Sequence, residues 1–226
     1  MELGSNAPLI VMADADLEKV AAATATTGFA NAGQVCISAQ RIMVNDAIYN
    51  DFLEVLKPTV EAITTGNPLD SETKMGPMIR DSDAERVNAW ITDAVSGGAN
   101  LITGGTREGT LHAPTIVADV DPAMRISCDE IFGPAVAVSR FDDIDSAIAQ
   151  ANDTNYGLSA AIFTENINWA VQYAQQVKSG NIHINWGTQW RADLMPYGGL
   201  KDSGMGKEGP KYAVEEMTET KMVVIH

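Results

Sequence analysis

The chain has 226 residues, enough for one large domain or two small ones. Fifteen Lys and Arg stand against thirty Asp and Glu, giving a formal net charge of −15. That balance argues against nucleic acid or an anionic membrane as a partner, since both attract a surplus of cations. The apolar fraction of 45% suffices for a packed core. Cys36 and Cys128 are too few for a disulfide framework and suggest a reducing compartment, the cytoplasm. No apolar run approaches the ~18 residues of a membrane span, and Met1-Glu2-Leu3-Gly4 does not open a signal peptide. His112, His183 and His226 lie far apart and give no metal-ligand spacing.

Helices and strands alternate along the chain. Asp14 and Asp16 can cap a helix from Leu17 to about Asn31, rich in Ala. Arg41 to Asn45 reads as a strand. Tyr49, Phe52, Leu53, Leu56 and Val60 recur at helical spacing, with Pro58 as an interruption or kink. Gly66 to Met78 reads as a long loop, followed by a helix over Ser82 to Val95 that Gly97-Gly98 stops. Leu101 to Thr103, Thr115 to Val120 and Ala135 to Phe141 read as strands. A helix from Asp142-Asp143 to about Asn152 leads to a buried strand, Ser159 to Phe163. Then come a helix (Asn166 to Val177), a strand (Asn181 to Asn185) and a glycine-rich stretch, Gly198 to Gly209. A short helix around Tyr212 to Met217 and a strand from Lys221 to Ile225 end the chain. This alternation predicts an α/β fold: a mostly parallel sheet with helices on both faces.

Four segments can carry chemistry. In Gly33-Gln34-Val35-Cys36, a thiol after a glycine turn can be a nucleophile, or simply a small buried apolar residue. Glu2, in Glu2-Leu3-Gly4, can be a general base or a solvated terminal charge. Glu130-Ile131-Phe132-Gly133-Pro134 places an acid and an aromatic before a strand, and is equally an ordinary turn. Pro196 to Gly204 has glycines able to approach phosphate, but neither Walker nor GxGxxG spacing, and is equally a connecting loop.

Taken in series, these segments resemble the catalytic half of the NAD(P)-dependent aldehyde dehydrogenase superfamily. The matching pieces are MELGSNAP, GQVCISAQR, GNPLDSETKMGPMI, EIFGPAVAV, NYGLSAAIFT, SGNIHIN and MPYGGLKDSGMGKEG. The likeness begins at Glu2 and covers essentially the whole chain. It implies a three-layer αβα catalytic domain over residues 1–219 and an oligomerisation-type strand over 220–226.

By the same resemblance, Cys36 matches the nucleophile, with its backbone amide as an oxyanion donor, and Glu2 matches the base. Glu130 would bind the nicotinamide ribose of NAD or NADP, beside Phe132. Asn185 to Asp193 matches the variable substrate-entry loop. There Trp190 and Arg191, with Tyr197 beyond, would receive a small aldehyde, and Arg191 could grip an anionic tail or pair with Asp193 or another acid. The lactaldehyde and sulfolactaldehyde branch is the nearest likeness. In the family the cofactor domain, the oxyanion asparagine and a subunit-bridging hairpin precede the Glu2 position. The resemblance therefore implies a chain that does not oxidise aldehydes alone, a Glu2 that nothing pins, and association into homo-oligomers. The rival expectation is a thiol esterase or a binding subunit without a redox step.

Overall fold

Side chains of the central strands point alternately to two apolar clusters, and helices cover both. The computed structural model describes all residues, Met1–His226. In chain order the elements are β1 (Ala7–Val11), α1 (Leu17–Phe29), β2 (Ala39–Asn45), α2 (Tyr49–Glu61), α3 (Asp81–Ser96) and β3 (Asn100–Thr103). Then come β4 (Arg107–Glu108), β5 (Leu111–His112), β6 (Thr115–Ala118), α4 (Arg125–Cys128), β7 (Ala135–Phe141) and α5 (Ile144–Asn152). The chain finishes with β8 (Ser159–Phe163), α6 (Ile167–Gln176), β9 (Asn181–Ile184) and α7 (Pro210–Met217).

Seven strands form one sheet in the order β3-β6-β7-β2-β1-β8-β9. Every pairing is parallel except β3 with β6. Leu9, Val11, Ile42, Val44, Ala161 and Phe163 face a core that includes Val20, Phe52, Leu56, Val87 and Trp90 from α1, α2 and α3. The neighbouring residues Ile10, Met43, Ala160 and Ile162 face Ala147, Ile148 and Tyr173 from α5 and α6. The period of two along each strand thus builds the two halves of an αβα sandwich.

Several elements stand where the sequence puts them. Asp16 caps α1 by accepting from the Lys19 amide at 3.2 Å. Asp14 does not cap it; its carboxylate accepts instead from Thr164 Oγ1 and the Glu165 amide, both at 3.0 Å. Asp143 caps α5 in a reciprocal box with Ser146. Pro58 does not interrupt α2, which continues past it to Glu61.

Other elements differ. β1 lies second to the sheet's middle, yet Pro8 marks it as a poor strand, since proline cannot donate to a ladder. The register against β2 shifts between Ala7 and Pro8, and pairing with β8 begins only at Leu9. Pro8 therefore sits at an irregularity where no donor is required. The hairpin β4–β5 and the single turn α4 carry too few residues to show a period. Lys221 to Ile225 forms no strand, because no edge of this chain lies against it; Met222 to Ile225 are exposed. No helix is long and apolar enough to cross a membrane.

Candidate active site

After α1 the chain makes an abrupt turn through three left-handed residues, Asn31 (φ 51°), Ala32 (φ 54°) and Gly33 (φ 66°). Such backbone costs of order 1–3 kcal/mol for each non-glycine residue and persists only where the surroundings enforce it. Here they do. Asn31 Nδ2 donates to the Gln34 carbonyl at 3.2 Å, and Gln34 Nε2 returns a bond to the Asn31 carbonyl at 3.1 Å. A Cβ on Gly33 would overlap the carbonyl of Gly133, so only glycine fits where this turn meets the segment before β7. Ser38 Oγ then ties the far side of the turn to the carbonyls of Thr27 and Gly28.

The turn delivers Cys36 at the end of the sheet where β2 begins, half-buried among Val35, Ile37, Leu158, Met195 and Tyr197. Its Sγ lies 3.7 Å from the Tyr197 hydroxyl. That hydroxyl donates to Glu2 Oε1 at 3.3 Å. The backbone amide of Cys36 makes no hydrogen bond, leaving a donor free beside the thiol. Burial and the Glu2 carboxylate push the thiol up to about 11, against a smaller opposing pull from Tyr197. The resting group at neutral pH is therefore a thiol, and it needs a base. Burial also raises the Tyr197 phenol far above its ordinary range, so the phenol stays neutral.

Glu2, expected to hang loose at the chain end, is anchored. It forms an antiparallel bridge with Gly204. Leu3 donates to the Ser203 carbonyl at 3.0 Å, and Met205 donates to the Met1 carbonyl at 3.2 Å. The glycine-rich stretch after Tyr197 thus acts as the ladder partner for Glu2.

Glu130 and Phe132 lie on a loop held by three side chains. Asn6 Nδ2 donates to the Ser127 carbonyl, Gln40 Nε2 to the Asp129 carbonyl and Arg86 Nη1 to the Ile131 carbonyl. Glu130 Oε1 accepts from the Ser5 amide at 2.9 Å. A Cβ on Gly4 would stand 2.9 Å from Glu130 Oε2, so the bare glycine leaves room for that carboxylate. Burial raises the Glu130 carboxyl, with the Ser5 bond opposing. Phe132 has φ 44° and presents an exposed ring. Glu130 thus keeps one carboxylate oxygen able to accept from hydroxyl groups, beside an exposed aromatic ring.

The entry loop splits between two places. Arg191 stacks on the Tyr197 ring, 4.4 Å from its centroid, and pairs with Glu208 at 2.9 Å. Of the partners the sequence allows, Asp193 or another acid, the structure uses another acid, Glu208. Trp190 stands away from this cluster; with Trp186 it lines an open apolar depression over Ile182, His183 and Ile184. Sequence reasoning missed the residues that hold the loop to the thiol turn. The buried Thr188 hydroxyl donates to the Ile37 carbonyl at 2.6 Å, and Gln189 Nε2 donates to the Thr27 carbonyl at 2.6 Å. Both are short-range polar residues whose partners are far away in sequence, so no spacing reveals them.

A profile described as the aldehyde dehydrogenase family matches residues 1–223. The chain is 47% identical over its whole length to a 3-sulfolactaldehyde dehydrogenase of Priestia aryabhattai, and covers 47% of that protein. It is 41% identical, again over its whole length, to a lactaldehyde dehydrogenase of Methanococcus vannielii, covering 48% of it. The chain thus spans about half the length of these relatives. Among solved structures, aldehyde dehydrogenase 21 of Physcomitrella patens, in complex with the reaction product succinate, superposes with a TM-score of 0.95. That pair shares 39% identity over 100% of this chain and 47% of the other. A glyceraldehyde-3-phosphate dehydrogenase of Methanocaldococcus jannaschii, complexed with NADP, gives 0.92 at 41% identity, over 96% of this chain and 47% of that one. With the family matched across nearly every residue and the fold superposing at a TM-score of 0.95, this chain belongs to the aldehyde dehydrogenase family.

Proposed function

We propose that these residues form the catalytic half of an enzyme that oxidises a small aldehyde to a carboxylate, with Cys36 as nucleophile and Glu2 as base. The observation that carries this reading is the hydrogen-bonded line from Cys36 Sγ through Tyr197 Oη to Glu2 Oε1. Cys36 loses its proton and its sulfur bonds to the aldehyde carbon, giving a thiohemiacetal oxyanion that the free Cys36 amide stabilises. Glu130 and Phe132 would hold the nicotinamide end of NAD or NADP, which would supply a hydride acceptor. The thiohemiacetal carbon then gives up its hydrogen with the C–H electron pair to that acceptor, the carbonyl re-forms, and a thioester is left on Cys36. Glu2 then takes a proton from water, whose oxygen attacks the thioester carbon, and the thiolate leaves.

Arg191, over the Tyr197 ring, is proposed as the substrate-side residue, whereas Trp190 lines a separate depression with Trp186. The relatives named above act on lactaldehyde and 3-sulfolactaldehyde by name, which supports a short aldehyde with a polar or anionic tail. Arg191 spends only Nη2 on Glu208, so Nε and Nη1 remain for an anion. The isolated chain is proposed to lack dehydrogenase turnover and to work, as part of its enzyme, in the cytoplasm. It is also proposed to bind further copies of itself, since Met222 to Ile225 are apolar and exposed.

A hydrolytic reading is also favoured by one observation: thiol, hydroxyl and carboxylate all lie within this chain, and ester cleavage needs no nicotinamide. A p-nitrophenyl ester therefore tests the nucleophile directly. The expected result is a burst of p-nitrophenolate that Cys36→Ala abolishes and Cys128→Ala keeps. A burst that survives Cys36→Ala overturns the reading. NADH production from small aldehydes by this chain alone would overturn the proposed lack of turnover. Light scattering showing only monomer at high concentration would overturn the self-association.

A further inference from the structure

The Tyr197 hydroxyl touches both groups, 3.7 Å from Cys36 Sγ and 3.3 Å from Glu2 Oε1, while Glu2 is itself close enough to the thiol to raise its ionisation. We propose that Tyr197 is a catalytic residue that relays the proton of Cys36 to Glu2 during nucleophilic attack. This rests on the assignment of Cys36 as nucleophile.

The geometry suits one direction of transfer. Tyr197 Oη already donates to Glu2 Oε1 at 3.3 Å, so its remaining lone pairs are available to the thiol, 3.7 Å away. As sulfur bonds to the carbonyl carbon, the S–H bond breaks and its proton goes to Tyr197 Oη. The phenol's own proton passes to Glu2 Oε1 in the same event. Tyr197 begins and ends neutral, Glu2 ends as a carboxylic acid, and the negative charge moves to the substrate oxygen. Both steps run concertedly because burial disfavours a free phenolate. Glu2 next surrenders the proton to solvent. It lines, with Tyr197, Lys207 and Glu208, an open cleft of about 520 Å³ through which water reaches it. With its carboxylate restored, Glu2 can serve the hydrolytic step.

The surroundings fix the hydroxyl for this task. The Tyr197 ring is buried, and its backbone exchanges two hydrogen bonds with Glu208, at 3.2 and 2.6 Å. Arg191 covers the ring from the other side while holding the Glu208 side chain. A tyrosine serving only to shape a substrate pocket would need neither bond at its hydroxyl.

The test uses the rate of the p-nitrophenyl ester burst, which needs no cofactor. Tyr197→Phe keeps the ring and removes the relay, and the expected loss is about a hundredfold, as for a missing acid–base group. Glu2→Gln is expected to lose a similar factor, and the double variant no more than either single one. In mixtures of light and heavy water the native burst rate should curve with deuterium fraction, since two protons move together. Each single variant should give a straight line. Circular dichroism and thermal midpoints of the variants report whether each one folds. Multiplying losses in the double variant, or a curve that persists in Tyr197→Phe, would overturn the relay. Persistence of the burst in Cys36→Ala would overturn the nucleophile assignment itself, so the two failures are separable. If Tyr197→Phe does not fold, Glu2→Gln alone decides between a curve and a line.

Discussion

Glu2 and Gly204 stand opposite each other in an antiparallel bridge, joining the first residues of the chain to the loop after Tyr197. Gly204 has φ 132°, a conformation that side chains rarely adopt, and a Cβ there would overlap the Met1 carbonyl. Gly204→Ala must therefore push the Met1–Glu2 segment away. The expected outcome is an ester burst at least about tenfold slower with the fold retained, because a base works only within hydrogen-bond reach. A native burst rate in Gly204→Ala would show that this bridge does not position Glu2.

Alkylation of Cys36 by iodoacetamide should report its ionisation, read best in a Cys128→Ser background. With the thiol pushed up to about 11, the rate should be low at neutral pH and climb roughly tenfold per pH unit toward that value. Glu2→Gln removes a neighbouring negative charge and should lower the midpoint. The same shift bears on stability. The folded thiol ionises later than an ordinary thiol near 9.0, so its contribution is complete below about 9 and is lost as pH rises to about 11. A plateau of alkylation already reached at pH 8 would contradict this environment.

Arg41 is the buried cation nearest this site, and it has no carboxylate partner. It donates to the carbonyls of Asn6, Gln150 and Ala151 at 3.0–3.1 Å, tying β2 to the residue that leads into β1 and to the end of α5. Burial lowers its guanidinium to about 10. Arg41→Met would relieve the cost of burying a charge but would leave three carbonyls without donors. The second effect wins, and the expected loss is roughly 2–4 kcal/mol of unfolding free energy. Arg41→Lys should recover little, since one ammonium cannot reach three acceptors spread around a planar fork. Urea denaturation at neutral pH measures both.

Much of this molecule is readable from its residues, and the exceptions share a cause. Strands such as β7 and β8 reveal themselves because Ala135 to Val138 and Ala160 to Phe163 are apolar and buried on both faces. Cys36, Glu130 and Glu2 stand out once the segments around them are read in series. β1 hides behind Pro8, whose ladder defect is absorbed at a register shift that only the folded sheet exposes. Thr188, Gln189 and Arg41 act on backbone carbonyls far along the chain, and a carbonyl leaves no trace in sequence. The anchoring of Glu2 is hidden for the same reason, as its partner is the backbone of residues 203–205.

Arg191 offers the sharpest test of substrate class. Its Nη2 is bonded to Glu208 at 2.9 Å, and its plane lies over the Tyr197 ring, leaving Nε and Nη1 unbonded at the mouth of the site. A short aldehyde that forms a thiohemiacetal should protect Cys36 from alkylation, and this requires no cofactor. An aldehyde with a terminal carboxylate should protect better than its neutral counterpart, because a guanidinium can bind a carboxylate through two parallel bonds. In Arg191→Met that preference should fall by about tenfold, the worth of one charge-assisted hydrogen bond. Neutral aldehydes should protect almost as well as before, apart from any loosening of Tyr197. An anionic preference that is unchanged in Arg191→Met would leave the residue as support for Tyr197 alone. Glu208→Gln separates the two roles further: it frees Nη2, so anion preference should rise while the ring stays covered.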